Sequence, residues 1–242
     1  MQARSAPSPK LALLLLPLAA LAWSGNHIVA RTIAGHVPPW SLNLVRWLVV
    51  AVFCGIIWNA TIRRDWPVLW RHKGVLAFLG VTGAALFGSL QYVALETTSA
   101  MNMGVMNSVA PVFIAATSYL LFRDRLTAVQ TFGIFISFLG VVSIVTQLDP
   151  VRVAGLSFTR GDLLMVFNMM LWALYSSCLR LRPAIDTRSF LFAISVAGAV
   201  ALLPFAAYEW STGQVLQATP LTAAAVAYAA IAASLIAYLF WA

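Results

Sequence analysis

The residues best able to do chemistry in this chain stand where hydrocarbon is expected. In the stretch LAWSGNHIVAR (residues 21–31), Trp23, Asn26 and His27 interrupt a long apolar run. Asn26 and His27 follow Trp23 by three and four residues, so on a helix they share its face. In MLWALYSSCLR (170–180), Trp172 and Tyr175 repeat that three-residue spacing. Arg46 lies inside a third apolar run, Gln91 and Tyr92 near the end of a fourth, and Asn102, Met106 and Asn107 in a fifth. An indole and an adaptable thioether can hold an apolar body. Amides, a phenol and an imidazole can bind its polar end. An Arg can grip a carboxylate or phosphate through two parallel hydrogen bonds. Together these residue types suit reversible binding of a small amphiphilic molecule.

The elements that must position them are membrane helices. The chain has 242 residues, of which 62% are hydrophobic and 9% charged, against about 25% charged in a soluble domain. Its mean hydropathy is +0.89. Apolar runs of about 20 residues span a bilayer as helices. Eight are expected, at Leu11–Ile33, Trp40–Trp58, Gly74–Leu95, Thr98–Phe122, Thr127–Gln147, Gly161–Leu181, Ser189–Tyr208 and Leu221–Ala242. The first run, with Lys10 before it and Ala20–Ala22 inside it, also imitates a signal peptide, but its apolar pattern continues past the supposed cut. The net charge of +8 does not mark a nucleic-acid binder, because the basic residues cluster between apolar runs. With the N-terminus in the cytoplasm, eleven of the fifteen Lys and Arg fall on the inner side, three (Arg31, Arg152 and Arg160) fall outside, and Arg46 is within a helix. That bias sets the orientation expected in a cell inner (plasma) membrane.

On this reading Trp23 and Trp172 sit near the midplane, far from the interface that Trp prefers, and Arg46 lies within about one turn of it. An Arg there costs about 2.5–3.5 kcal/mol on insertion scales. The two readings open for the tryptophans are walls around a substrate and packing between helices. Asn26 and Tyr175 either bind a ligand or bridge helices, and His27 either titrates or is a hydrogen-bonded structural residue. Gly80, Ala84 and Gly88 form a small-residue ridge for close helix packing. Pro111 removes an amide donor and kinks its helix.

The chain also repeats. LAWSGNHIVAR aligns with MLWALYSSCLR at an offset of 149, pairing Trp23 with Trp172 and Arg31 with Arg180. LGVTGAALFGSLQ (79–91) aligns with AIAASLIAYLFWA (230–242) at 151. A five-helix unit is odd, so its second copy enters the membrane inverted, the ground plan of many secondary transporters. The units are residues 1–150, holding helices one to five, and 151–242, holding helices six to eight. The fold expected is therefore all-α, with inverted five-helix repeats, ten transmembrane helices in full and eight in this chain; helices nine and ten are expected beyond Ala242.

LLPLAALAWSGNHIVAR (15–31) and NSVAPVFIAATSYLLFRDRL (107–126) resemble the first and fourth helices of EamA-type transporters, in the drug/metabolite transporter superfamily. Pro111, Phe113 and Asp124-Arg125-Leu126 fit the pattern, with Asp124 where Glu is commoner. GDLLMVFNMMLWALYSSCLR (161–180) is similar to the start of the family's second repeat. The resemblance implies a central cavity and export or exchange of small metabolites, amino acids prominent among them. Aromatic amino acids fit the midplane rings; nucleotide sugars, sugar phosphates and lipophilic drugs are the alternative substrates. Neither lysine follows a glycine as a nucleotide-binding loop requires, and the carboxylates sit at helix ends or in loops, so a facilitator or exchanger leads, with His27 as the alternative proton carrier. A channel or sensor, or an intramembrane hydrolase using Ser89 and His27, are the rival classes. No enzyme activity, cofactor or metal is expected; the expected partners are an amino acid-like substrate and the lipid bilayer, with the oligomeric state left open.

Overall fold

Lipid offers no hydrogen-bond partners, so each spanning segment must satisfy its own backbone. A computed structural model, which describes residues 9–146 and 159–241, has helices and no strands among those residues. The helices are α1 (Pro9–Ile33), α2 (Pro39–Ile57), α3 (Asn59–Arg71), α4 (Lys73–Leu95), α5 (Ala100–Asn107), α6 (Ala110–Phe122), α7 (Ala128–Thr146), α8 (Arg160–Cys178), α9 (Thr187–Ser211) and α10 (Pro220–Trp241). Six of them, α1, α2, α4, α8, α9 and α10, contain segments long and apolar enough to cross a membrane; α6 and the Ala128–Gly140 part of α7 are shorter apolar helices. The boundary at residues 150 and 151, and Arg4 and Arg152, lie outside the described residues.

Two elements differ from the sequence reading. The helix expected over Thr98–Phe122 is two helices, α5 and α6, broken at residues 108–109. Pro111 stands in the first turn of α6, where its missing N–H is harmless; inside a continuous helix it would leave the Asn107 carbonyl unpaired. The second difference is α3, which occupies a segment read as an inner loop. Ile62, Asp65 and Leu69 recur at helical spacing and are buried, while Arg63, Arg64 and Arg71 point outward. Asp65 accepts from the Asp186 amide at 3.0 Å and from Arg64 at 3.0 Å, fixing α3 to the start of α9.

α2 and α9 run along each other at the centre, and α9 also packs on α4. The Gly80–Ala84 ridge is where these backbones approach: a Cβ on Gly80 would meet Ala197 and the Ile194 carbonyl, and one on Gly198 would meet Ala84. Gly88, the third member of the ridge, faces Asn43 of α2 instead. On one side α1 packs along α10, and on the other α8 packs along α4 and α6. The opposite end of the α2–α9 pair is tied by Glu209, which accepts from Trp40 N–H at 3.0 Å, Ser41 N–H at 2.7 Å and the Ser41 hydroxyl at 2.7 Å. A carboxylate there satisfies the orphan amides of α2's first turn.

Two helices carry π turns, in α4 over Gly80–Leu86 and in α10 over Ile231–Ile236. They begin 151 residues apart, the offset at which these segments align. In each, one amide bonds five residues back, Phe87 to Thr82 and Ala237 to Ala232. That shift takes the usual i−4 amide away from the carbonyls of Gly83 and Ala233.

Candidate functional site

Side chains from other helices reach the carbonyls of both π turns. Tyr238 of α10 donates its hydroxyl to Gly83 O at 2.6 Å. Ala233 O accepts the Trp23 indole N–H at 3.0 Å and an Arg46 N–H at 3.3 Å. On α2, Asn43 donates to Ala84 O and Ala85 O at 3.1 and 2.9 Å, and Trp47 to Ala84 O at 2.8 Å. One face of α2 therefore clamps both irregular segments, Asn43 and Trp47 holding α4 while Arg46 holds α10.

Arg46 is 4% exposed. Its Nε donates to the Ser234 hydroxyl, which in turn bonds Ala229 O five residues back. One terminal nitrogen donates to the Tyr92 hydroxyl at 3.0 Å, and Tyr92 donates onward to Asn26 Oδ1 at 3.3 Å. The guanidinium also lies 5.2 Å from the Trp47 ring centroid. Every one of these partners is neutral, so the cation is hydrogen-bonded without being neutralised.

Trp23 and Trp172 meet edge to face, with centroids 5.3 Å apart. Phe87, Tyr175, Tyr238 and Trp241 complete the cluster: Phe87 and Tyr175 lie 4.5 and 5.2 Å from Trp172, and Trp241 lies 5.4 Å from Trp23. The rings fill the space between them, so in this state the tryptophans pack on one another and do not stand apart as cavity walls. Tyr175 is fully buried, and its hydroxyl has no hydrogen-bond partner among the described residues. Its ring covers Gly83 so closely that a Cβ there would overlap it.

His27 belongs to a neighbouring group. Its Nε2 lies 3.1 Å from the Gln91 amide nitrogen and 3.4 Å from that of Asn107. Both amides present N–H donors, so Nε2 accepts and the ring proton sits on Nδ1. Met106 packs half-buried against the core. Asn102 is not part of either group. It donates to Asp162 at 3.4 Å, beside the capping box that Thr159 and Asp162 build at the start of α8. Of the aligned pair Arg31 and Arg180, Arg31 donates to Leu95 O and Glu96 O at the end of α4, and Arg180 pairs with Asp124.

Residues 10–146 match the model of the EamA-like transporter family. The chain belongs to that family. An uncharacterized transporter of Archaeoglobus fulgidus is 30% identical over 234 residues, covering 94% of this chain and 78% of that protein. The uncharacterized transporters YyaM and YetK of Bacillus subtilis are 29% and 24% identical; the alignments cover 67% and 92% of this chain, and 54% and 68% of theirs. A solved crystal structure shares the fold with a TM-score of 0.66 at 21% identity, covering 97% of this chain and 78% of that one.

In this EamA-like transporter the structure thus gathers Trp23, Asn26, Arg46, Tyr92, Trp172 and Tyr175 into one connected centre. Reading the sequence missed Asn43, Trp47, Ser234, Tyr238 and Trp241, which complete it. Two signals were present. Asn43 and Trp47 are one turn apart and flank Arg46, and Tyr238 aligns with Phe87 at the 151-residue offset, as Trp172 aligns with Trp23 at 149.

Proposed function

We propose that this membrane transporter exports or exchanges small metabolites bearing a carboxylate and an apolar body, amino acids and aromatic ones among them, by alternating access around the centre built on Arg46. The observation that carries the reading is the Arg46 guanidinium, buried and hydrogen-bonded to neutral partners only among the described residues. A substrate carboxylate would supply the missing counter-charge by exchanging with Ser234 and Tyr92, in the charge-assisted geometry that favours Arg. The unpartnered Tyr175 hydroxyl and the packed rings would take the ammonium end and the apolar body once the cluster opens. Trp23, Asn26, Gln91, Tyr92, Asn107, Met106 and Trp172 are assigned to the same binding region, with His27 a hydrogen-bonded structural member of it. Asn102 is assigned to the mouth, because it bonds Asp162.

We also read residues 1–150 and 151–242 as inverted repeats, the N-terminus in the cytoplasm of a plasma-membrane carrier that is not an enzyme. The matched offsets of the π turns, and the corresponding pairings of α1 with α10 and α8 with α4, support the repeat.

The test is counterflow in proteoliposomes across a panel of amino acids, sugar phosphates and lipophilic amines, with no ion gradient imposed. A charge-assisted hydrogen bond is worth about 1.5–3 kcal/mol, so Arg46→Ala lowers amino-acid counterflow about tenfold to a hundredfold, and Arg46→Lys retains part of it. Trp172→Ala weakens aromatic substrates most. Unchanged counterflow in a folded Arg46→Ala protein overturns the carboxylate role, and strict dependence on a pH gradient overturns the facilitator or exchanger.

A further inference from the structure

Away from the centre, an apolar groove of about 570 Å³ runs between α4 and α9. Ala77 and Val81 form one wall, Phe192, Val196 and Val200 the other, and Trp66 of α3 part of its end. From Lys73 to Val81 the α4 wall rises about 12 Å at 1.5 Å per residue. Both walls belong to membrane-spanning segments, so the slot opens to hydrocarbon. Its end is different in kind. Lys73 lines the groove and holds its ammonium 4.5 Å from the Trp70 ring centroid, with no carboxylate paired to it among the described residues. Arg71 is exposed beside it. The nearby acids are occupied: Asp65 and Asp186 face Arg64, and Asp186 also faces Arg188. Trp66 and Trp70 are 51% and 64% exposed on α3, the placement of Trp at a membrane–water boundary. A slot that is greasy along its length, with an unneutralised cation at the interfacial end, matches an amphiphile with an anionic head and an alkyl chain.

We propose that this groove is a binding site for an anionic phospholipid, one acyl chain lying between α4 and α9 and the phosphate held by Lys73 and Arg71. The site is independent of the substrate centre. A second copy of the chain would match the apolar walls but leave Lys73 and Arg71 without counter-charge.

The experiment is lipid retention by the purified chain in mild detergent, measured by native mass spectrometry with phosphatidylglycerol and phosphatidylcholine of identical chains. The wild type retains one phosphatidylglycerol in preference to phosphatidylcholine. One basic residue near an anionic surface is worth about 1 kcal/mol, so Lys73→Ala lowers that retention about fivefold, and Lys73→Arg preserves it. Val196→Trp fills the slot and releases both lipids while the thermal midpoint is held. Equal retention of the two headgroups overturns the proposal, as does a Val196→Trp protein that keeps phosphatidylglycerol. Competition by glycerol phosphate alone as strong as by the intact lipid overturns it too, since the slot would then be idle. A dimer that persists with no lipid bound assigns the groove to a second copy.

Discussion

Tyr238 and Tyr175 offer a matched pair of perturbations. Their ring centroids are 6.3 Å apart in one aromatic cluster, and both are buried. Tyr to Phe removes a single oxygen from either while leaving the packing intact. At Tyr238 that oxygen donates to Gly83 O at 2.6 Å, a carbonyl whose usual helical donor, Phe87, bonds Thr82 instead. Side-chain hydrogen bonds inside membrane proteins average about 0.6 kcal/mol and reach about 1.7, and an abandoned buried acceptor costs about 1–3 kcal/mol. Tyr238→Phe therefore costs about 1–2 kcal/mol. At Tyr175 the hydroxyl has no partner, so Tyr175→Phe removes a desolvated donor and is neutral or stabilising. For a domain of 150–250 residues, 1 kcal/mol moves the midpoint about 2–4 °C, which separates the two variants. Cys54 and Cys178 are free and buried, so a thiol-reactive fluorophore reports unfolding directly. If Tyr175→Phe loses as much stability as Tyr238→Phe, the assignment of partners in the π-turn centre is wrong.

Two further outcomes concern the ends of α9. Burial raises the Asp65 pKa, but the hydrogen bonds from Arg64 and the Asp186 amide outweigh it and hold the carboxyl below its ordinary value. A group whose folded pKa is depressed stabilises fully above its unfolded value, near 3.9, and less as pH falls through the folded one; the thermal midpoint accordingly drops below about pH 4, and Asp65→Asn flattens that drop. At the other end Glu209→Gln keeps the shape but removes the charge from α2's first turn, costing about 1–2 kcal/mol in the same thiol-dye melt; an unchanged midpoint would refute the cross-helix cap.

Helix existence was legible because hydrocarbon leaves the backbone little choice. Apart from the run broken at residues 108–109, every expected run is a helix in the structure to within three residues over the described part. The break itself was half legible. Pro111 announced a kink, but whether the two pieces stay collinear depends on what α8 packs against. The amphipathic α3 was hidden because its arginines read as a topology signal, and its buried Asp65 makes sense only with the Asp186 amide in place. Trp23, Asn26, Arg46, Trp172 and Tyr175 stood out as polar or bulky residues at depths where lipid offers them nothing. Ser234 and Tyr238 did not, since a Ser that can bond its own backbone and an aromatic near a helix end need no special explanation.

By itself the sequence determined the solvent, the helical class and the family, because each depends on composition and pattern along the chain. Tertiary structure alone decided which residues meet. It brought Trp23 against Trp172 and not across a gap, assigned Asn102 to the start of α8, and gave Arg46 neutral hydrogen-bond partners from two other helices. Those outcomes depend on helix rotation and on two π turns that shift carbonyls by a fraction of a turn. Such shifts follow from the packing of neighbouring helices and leave no periodic mark in the residues themselves.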